Sequence, residues 1–225
     1  MILLIAASIA AAPPAPCPTG DSAAVHVCLG LEASKAGDNA GAAAEFEKAA
    51  IGTADEPGRA RALAAAGNLW LAAGEPGKAA LALDRALVGK GLQAEQRGEA
   101  LLDRARAAEA QDDLKTARAK ADEAAQTISE DPFLWYFSAA LAIREGDKAK
   151  AQAAIGQALT LAPGDPTILF EAGHVAQFAG DDAKARDYWN RAAAADAKGP
   201  IGKAAREAIA MLPAPPASTV KPTGR

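Results

Sequence analysis

Aromatic residues are scarce in this 225-residue chain, which has three tryptophans, two tyrosines and five phenylalanines. Valine and threonine are thin too, and alanine dominates the apolar half, which argues against a sheet protein. Alanine is the best helix former and the smallest core side chain, so it suits many short, closely stacked helices. Only two histidines, His26 and His174, and two cysteines, Cys17 and Cys28, are present. The cysteine spacing matches no zinc or redox motif. G-x-S-x-G, H-E-x-x-H, C-x-x-C and a phosphate-binding glycine loop are all missing. The carboxylate pairs Asp112-Asp113 and Asp181-Asp182 stand where helices start, and capping accounts for them better than acid–base work does. The expectation is therefore a non-enzyme with no cofactor and no metal. Charge is mixed, with 24 Lys and Arg against 28 Asp and Glu. Without a basic block or stripe, a nucleic-acid or anionic-membrane partner is not expected.

The first residues read MILLIAASIAAAPPAPCPTGD. Residues 1–12 form an apolar segment with the character of a signal peptide, Ser8-Ile9-Ala10 being its cleavage-like triplet. It is too short to span a bilayer. A proline-rich leader follows over 13–21. The expected location is periplasmic or secreted, or cytoplasmic if the segment does not act as a signal. In an exported chain Cys17 and Cys28 suit one disulfide tying the leader to the first helix; two idle thiols are the alternative.

What the sequence does have is a repeat. GDNAGAAAEFEKAA begins at Gly37, GEPGKAALALDRAL at Gly74 and DDLKTARAKADEAA at Asp112. GDKAKAQAAIGQAL begins at Gly146 and GDDAKARDYWNRAA at Gly180, so the intervals are 37, 38, 34 and 34 residues. Each copy places a Gly-Asp-like turn before an alanine, a large apolar residue and another alanine. The unit is two amphipathic helices, with a left-handed glycine closing the first and an acid capping the second. Small residues belong where the two helices cross. The large helix-B residue, such as Phe46 or Trp189, is expected to fill the gap beside the next pair. Asp131-Pro132 and Asp165-Pro166 read as a cap followed by a first-turn proline.

These residues resemble the tetratricopeptide repeat family, with its 34-residue unit. Leu63, Gly67, Trp70, Gly74, Ala79, Leu83 and Ala86 carry the match in the second copy. Trp135, Ala139, Ala142, Gly146, Ala151, Ile155 and Pro163 carry it in the fourth. The third copy is the most divergent and has alanines alone. The resemblance implies an all-α, right-handed α-solenoid of stacked antiparallel helix pairs. Its five repeats are placed at about 23–56, 60–93, 98–131, 132–165 and 166–199. A capping helix follows over 200–212, completing an array over 22–212. The proline-rich tail 213–225 is expected to be disordered.

The resemblance also implies that the first helix of each unit lines a concave groove that receives a protein or peptide. On a helical wheel, Trp135, Ser138, Ala139 and Ala142 face the second helix. Phe133, Tyr136 and Arg144 then turn toward the groove, with Phe137 at its edge. Phe170, His174, Gln177 and Phe178 occupy the matching places in the fifth unit. Asn68 and Arg106, with Arg61, Glu99 and Asp103, make the other end polar. The rings fit a partner site, packing between units, or self-association. The clamp that some family members use for a chaperone's terminal carboxylate does not carry over, since Val27, Leu31 and Ala65 stand where it needs polar groups. The reading is an adaptor or scaffold without an integral membrane span. A self-assembling, homo-oligomeric subunit of a cell-envelope complex competes with it.

Overall fold

The computed structural model describes residues 16–213. The signal-like segment and the tail beyond 213 lie outside the described residues. Eleven helices, and among the described residues no strands, make five antiparallel pairs and a closing helix. The pairs are α1(Ala23–Lys35) with α2(Asn39–Gly52), α3(Glu56–Ala72) with α4(Pro76–Leu87), and α5(Ala94–Glu109) with α6(Leu114–Ala124). They continue with α7(Pro132–Arg144) and α8(Lys148–Leu161), then α9(Pro166–Ala179) and α10(Asp182–Ala195), before α11(Pro200–Met211). The first helix of each pair is called A below, and the second B.

One local device recurs at every A-to-B turn. A left-handed residue follows each A helix: Gly37, Gly74, Gly146 and Gly180, with φ between 75° and 92°. The next residue's N–H then reaches back to the helix, as in Asp38 N to Ala33 O and Asp181 N to Ala176 O, both 2.9 Å. These bonds satisfy carbonyls that the helix end would otherwise leave unpaired. In the divergent third unit Asp112 takes the same position at φ 62°, a conformation that aspartate tolerates better than most side chains. Asp38, Asp113, Asp147 and Asp181 cap the B helices, each accepting the backbone N–H three residues on. Those bonds, with nearby side-chain partners, hold the carboxyls of Asp113, Asp147 and Asp181 below the usual aspartate range. In each carboxylate pair one member, Asp113 or Asp181, is thus the helix cap.

Two units begin earlier than the spacing predicts. Helix α3 starts at Glu56 rather than near 60, because Asp55 accepts the Gly58 N–H at 2.7 Å and nucleates a turn inside the loop GTADEPGR. Helix α5 starts at Ala94 rather than near 98, where the Gln96 side chain accepts the Gln93 N–H at 3.2 Å.

The A and B helices meet at one fixed offset. Gly30 lies against the Phe46 ring, Gly67 against Leu83 and Gly173 against Trp189, each pair sixteen positions apart. A Cβ on Gly67 would stand 2.4 Å from Leu83 Cγ, and one on Gly173 2.1 Å from Trp189 Nε1. Where the A residue is alanine, the B residue at the same offset is smaller than those rings. Ala105 precedes Ala121, and Ala139 precedes Ile155, all four buried. The large B residue therefore fills the crossing within its own pair, and Trp189 also packs on the next helix, α11. The sequence suggested only the second of these contacts.

Between units the seam differs in chemistry. Units one to three share a continuous cluster that includes Leu63, Trp70, Leu83 and Leu92. At the junction of units three and four, Leu101, Leu102, Ile128 and Leu134 form a separate cluster. Arg118 on α6 spans that junction. Its guanidinium donates to Ser138 Oγ at 2.7 Å, to Ser138 O at 3.2 Å and to both oxygens of Glu145. The last unit packs on α11 through Trp189, Ala205, Ala208 and Leu212.

At the N-terminal end a disulfide joins Cys17 to Cys28 and fixes the end of the leader on α1. Beside it, the buried His26 ring is held from both sides, Nδ1 2.6 Å from Glu45 and Nε2 2.7 Å from Asp21. Two carboxylates favour the imidazolium, Glu45 more than Asp21, so the His26 pKa is raised.

Two outcomes are expected. Gly67→Ala should cost about 1–3 kcal/mol in urea denaturation, as overpacking does. The same change in a Leu83→Ala background should cost much less, because the clash partner is gone. For His26, the folded pKa lies above the unfolded value of about 6.5, so the stabilisation is complete below that pH. It disappears as pH rises through the folded pKa. Hydrogen exchange of the α1 amides should accelerate across that window, and His26→Gln should flatten the profile.

Candidate functional site

The A helices of neighbouring units touch directly at α3 with α5 and at α7 with α9. Both junctions hold a cavity of about 490 Å³. The first is lined by Arg61, Ala64, Ala65, Asn68, Glu99 and Asp103, among others. The second is lined by Ala140, Ile143, Arg144, Glu171, His174, Gln177 and Phe178. Alanines make these spaces, since larger side chains at Ala64, Ala65 and Ala140 would occupy them.

The structure brings together most residues that the helical wheel assigned to the groove. At the polar end Asn68 donates to Asp103 Oδ2 at 2.8 Å, and Arg106 donates to Asp103 Oδ1 at 2.9 Å. Arg144, at the C-terminal end of α7, is held by the carboxylate of Glu109, by Glu109 O at 3.1 Å and by Asp112 at 2.6 Å. It ties unit four to unit three. His174 lies 3.3 Å from Glu171 through Nδ1, and its ring meets Phe170 edge-on at 4.5 Å and Trp189 at 5.5 Å. Gln177 is exposed, while Phe178 is partly buried with Lys148 Nζ 5.6 Å from its ring centre.

The rings divide differently from the wheel. Leu134, only 1% exposed, is the most deeply buried residue of the stretch DPFLWYF. Trp135 is half-buried and donates its indole N–H to Ser129 O at 2.7 Å. Phe137 packs with the clusters that join units three and four, through Leu101, Leu134 and Leu141. Phe170 packs on the last unit's core, and its carbonyl accepts the Trp189 indole N–H at 2.9 Å. Phe137 and Phe170 are therefore packing residues, and truncating either would disturb the stack before it tested a surface. Phe133 is 50% exposed but does not line the cavity. Tyr136 is half-buried against Ala139, Ile168 and their neighbours. Burial first, and then the nearby Glu171 carboxylate, raise its phenol pKa against a smaller opposing effect of Arg106. Tyr136 thus connects the two ends of the face.

Glu171 is the residue that sequence reasoning passed over. It is 8% exposed and lines the second cavity. A lone acid inside the apolar run ILFEAGHV was the available signal.

For metals, Cys17, Cys28 and Glu32 cluster closely, but both sulfurs are spent in the disulfide. Among the described residues no helix is long and apolar enough to cross a membrane.

No family model matches the sequence, and no curated protein matches it. Solved structures do. The chain is similar to the protein named MamA, with TM-score 0.63 and 19% identity over 87% of this chain and 100% of that one. It is similar to YrrB, printed as "a TPR protein with an unusual peptide-binding site", with TM-score 0.60 and 16% identity over 83% and 93%. PilW, a type IV pilus biogenesis factor, superposes with TM-score 0.70 and 14% identity over 82% of each chain. With the five left-handed turns that separate A from B helices and the small residues at the crossings, these likenesses establish the fold as that of the tetratricopeptide-repeat solenoids.

Proposed function

We propose that the protein is a non-catalytic interaction scaffold that receives a peptide or protein segment along its A-helix face. The observation that carries this reading is the pair of equal cavities at the α3–α5 and α7–α9 junctions. The first is walled largely by alanine and the second by Ala140, Ile143 and Phe178, and Asn68, Asp103 and Arg144 at their edges are already held by neighbours. YrrB's peptide-binding site supports the reading by likeness of fold. The charged residues found here serve as caps and inter-unit ties, roles that leave no assembled acid–base pair to drive a reaction.

The rings Phe137 and Phe170 are unsuitable probes, so the test blocks the cavities from their alanine walls. Peptides selected from a random library against the full chain should lose at least about tenfold in affinity for Ala140→Arg or Ala65→Arg, a difference of about 1.4 kcal/mol. Helicity and melting should persist in both variants. Selected peptides that bind both variants as well as the parent would defeat the groove reading. If those peptides fail and light scattering shows a concentration-dependent oligomer, the self-assembling subunit takes its place.

Export is part of the same proposal. The Cys17–Cys28 bond suits an oxidising compartment, and the apolar segment over 1–12 suits delivery to it. In natively produced protein, both cysteines should resist alkylation under denaturing conditions until a reductant is added. Immediate labelling would place the protein in a reducing compartment.

A further inference from the structure

Three polar side chains are buried: His26, Ser138 and Glu171. Two are fully served. His26 has a carboxylate at each ring nitrogen, and the Ser138 hydroxyl accepts from Arg118. Glu171 has only His174, at 3.3 Å, and its other oxygen has no hydrogen-bond partner among the described residues. Burying a carboxylate is costly unless a cation or several donors meet it. Arg144, which lines this cavity, is already engaged by Glu109 and Asp112, and Lys148 lies at its edge over the Phe178 ring.

The space in front of Glu171 has a definite character. Ala140, Ile143 and Phe178 give it apolar walls, and His174 and Gln177 border it. Such walls suit the methylene stem of a long basic side chain, and ring faces attract its cationic head. Farther along the same face, a cleft between α5 and the α6–α7 link, which shares Glu99 with the first cavity, carries Glu95, Glu99, Glu130 and Asp131. Glu95, Glu99 and Glu130 are exposed, so this stretch of surface favours the approach of a basic segment.

Resting on the groove reading above, we propose that the cavity between α7 and α9 is the subsite for a lysine or arginine side chain of the docked segment. Glu171 is the anion that receives it. The occupant is a segment of another protein bearing one basic residue in an otherwise uncharged stretch.

The test uses the full chain and three acetylated, amidated pentapeptides of alanine. Their central residue is arginine, lysine or the uncharged isostere citrulline. Ring signals of His174 and Tyr136 are followed by NMR, and melting is followed in parallel. The arginine and lysine peptides should shift the ring signals saturably at millimolar concentration and raise the melting temperature. The citrulline peptide should bind at least about tenfold more weakly. Glu171→Gln, which keeps the shape, should remove the preference by a similar factor without loss of helicity. Equal binding of citrulline, unchanged binding to Glu171→Gln, or no saturable shift with the basic peptides would overturn the proposal. Library peptides that lack a basic residue yet are displaced by Ala140→Arg would sink this subsite while leaving the groove reading intact. Lys221 and Arg225 offer an intramolecular occupant. If changing both to glutamine tightens arginine-peptide binding, the chain's own tail, not a partner, fills the site.

Discussion

The crossing of helix A over helix B is the contact on which the rest of this solenoid depends. Alanine-rich helices have little side chain with which to fill space, so they are stable only when their backbones approach closely. At Gly30, Gly67 and Gly173 the A helix presents no Cβ, and a large B residue sixteen positions on occupies the room. At Ala105 the B partner is another alanine, and at Ala139 it is Ile155, the size of the Leu83 opposite Gly67. At none of these crossings does the A helix present more than a methyl group. The pair's angle and spacing then set where the next A helix can sit, and so where a cavity remains.

Polar chemistry adds to that packing where it loosens. At the junction of units three and four the A helices approach less closely than at α3–α5 and α7–α9, with Leu101, Leu102 and Leu134 packed between them. Arg118 and Arg144 reinforce it, one reaching Ser138 and Glu145, the other Glu109 and Asp112. Single exposed ion pairs are weak, but a guanidinium that meets a hydroxyl, a carbonyl and a carboxylate in fixed geometry is a stronger tie. The divergent third unit keeps its place in this way. Asp112 both adopts the left-handed turn and receives Arg144, so one residue supplies the missing glycine's conformation and a bond to the next unit.

The repeat, its helix pairing and its turns were legible in the sequence because they are set locally. A Gly-Asp pair specifies a helix end and a cap without reference to distant residues. The helix starts at Glu56 and Ala94 were less legible, since Asp55 and Gln96 act from loops whose length differs from the standard unit. The groove was half legible. The wheel placed Arg144, His174, Gln177 and Phe178 together, and they share a cavity wall. It did not show that Phe137 and Phe170 are partly covered by packing, because a wheel reports the angle of a side chain about its own helix and not what covers it.

That failure has a physical cause specific to this composition. In a core made of alanine, the few large side chains are the only mortar available between units. Phe137 is therefore drawn into the seam that joins units three and four, while Phe170 backs onto Trp189 within its own pair. Surface recognition then falls to what the seams leave uncovered, which is alanine-walled space and the polar groups at its edge. A cluster of rings is thus a poor guide to a binding site in such a protein. Glu171 differs from those rings: it is buried at an apolar-walled groove with His174 as its hydrogen-bond partner among the described residues, and a buried carboxylate gains more from a cationic neighbour than a packed ring does.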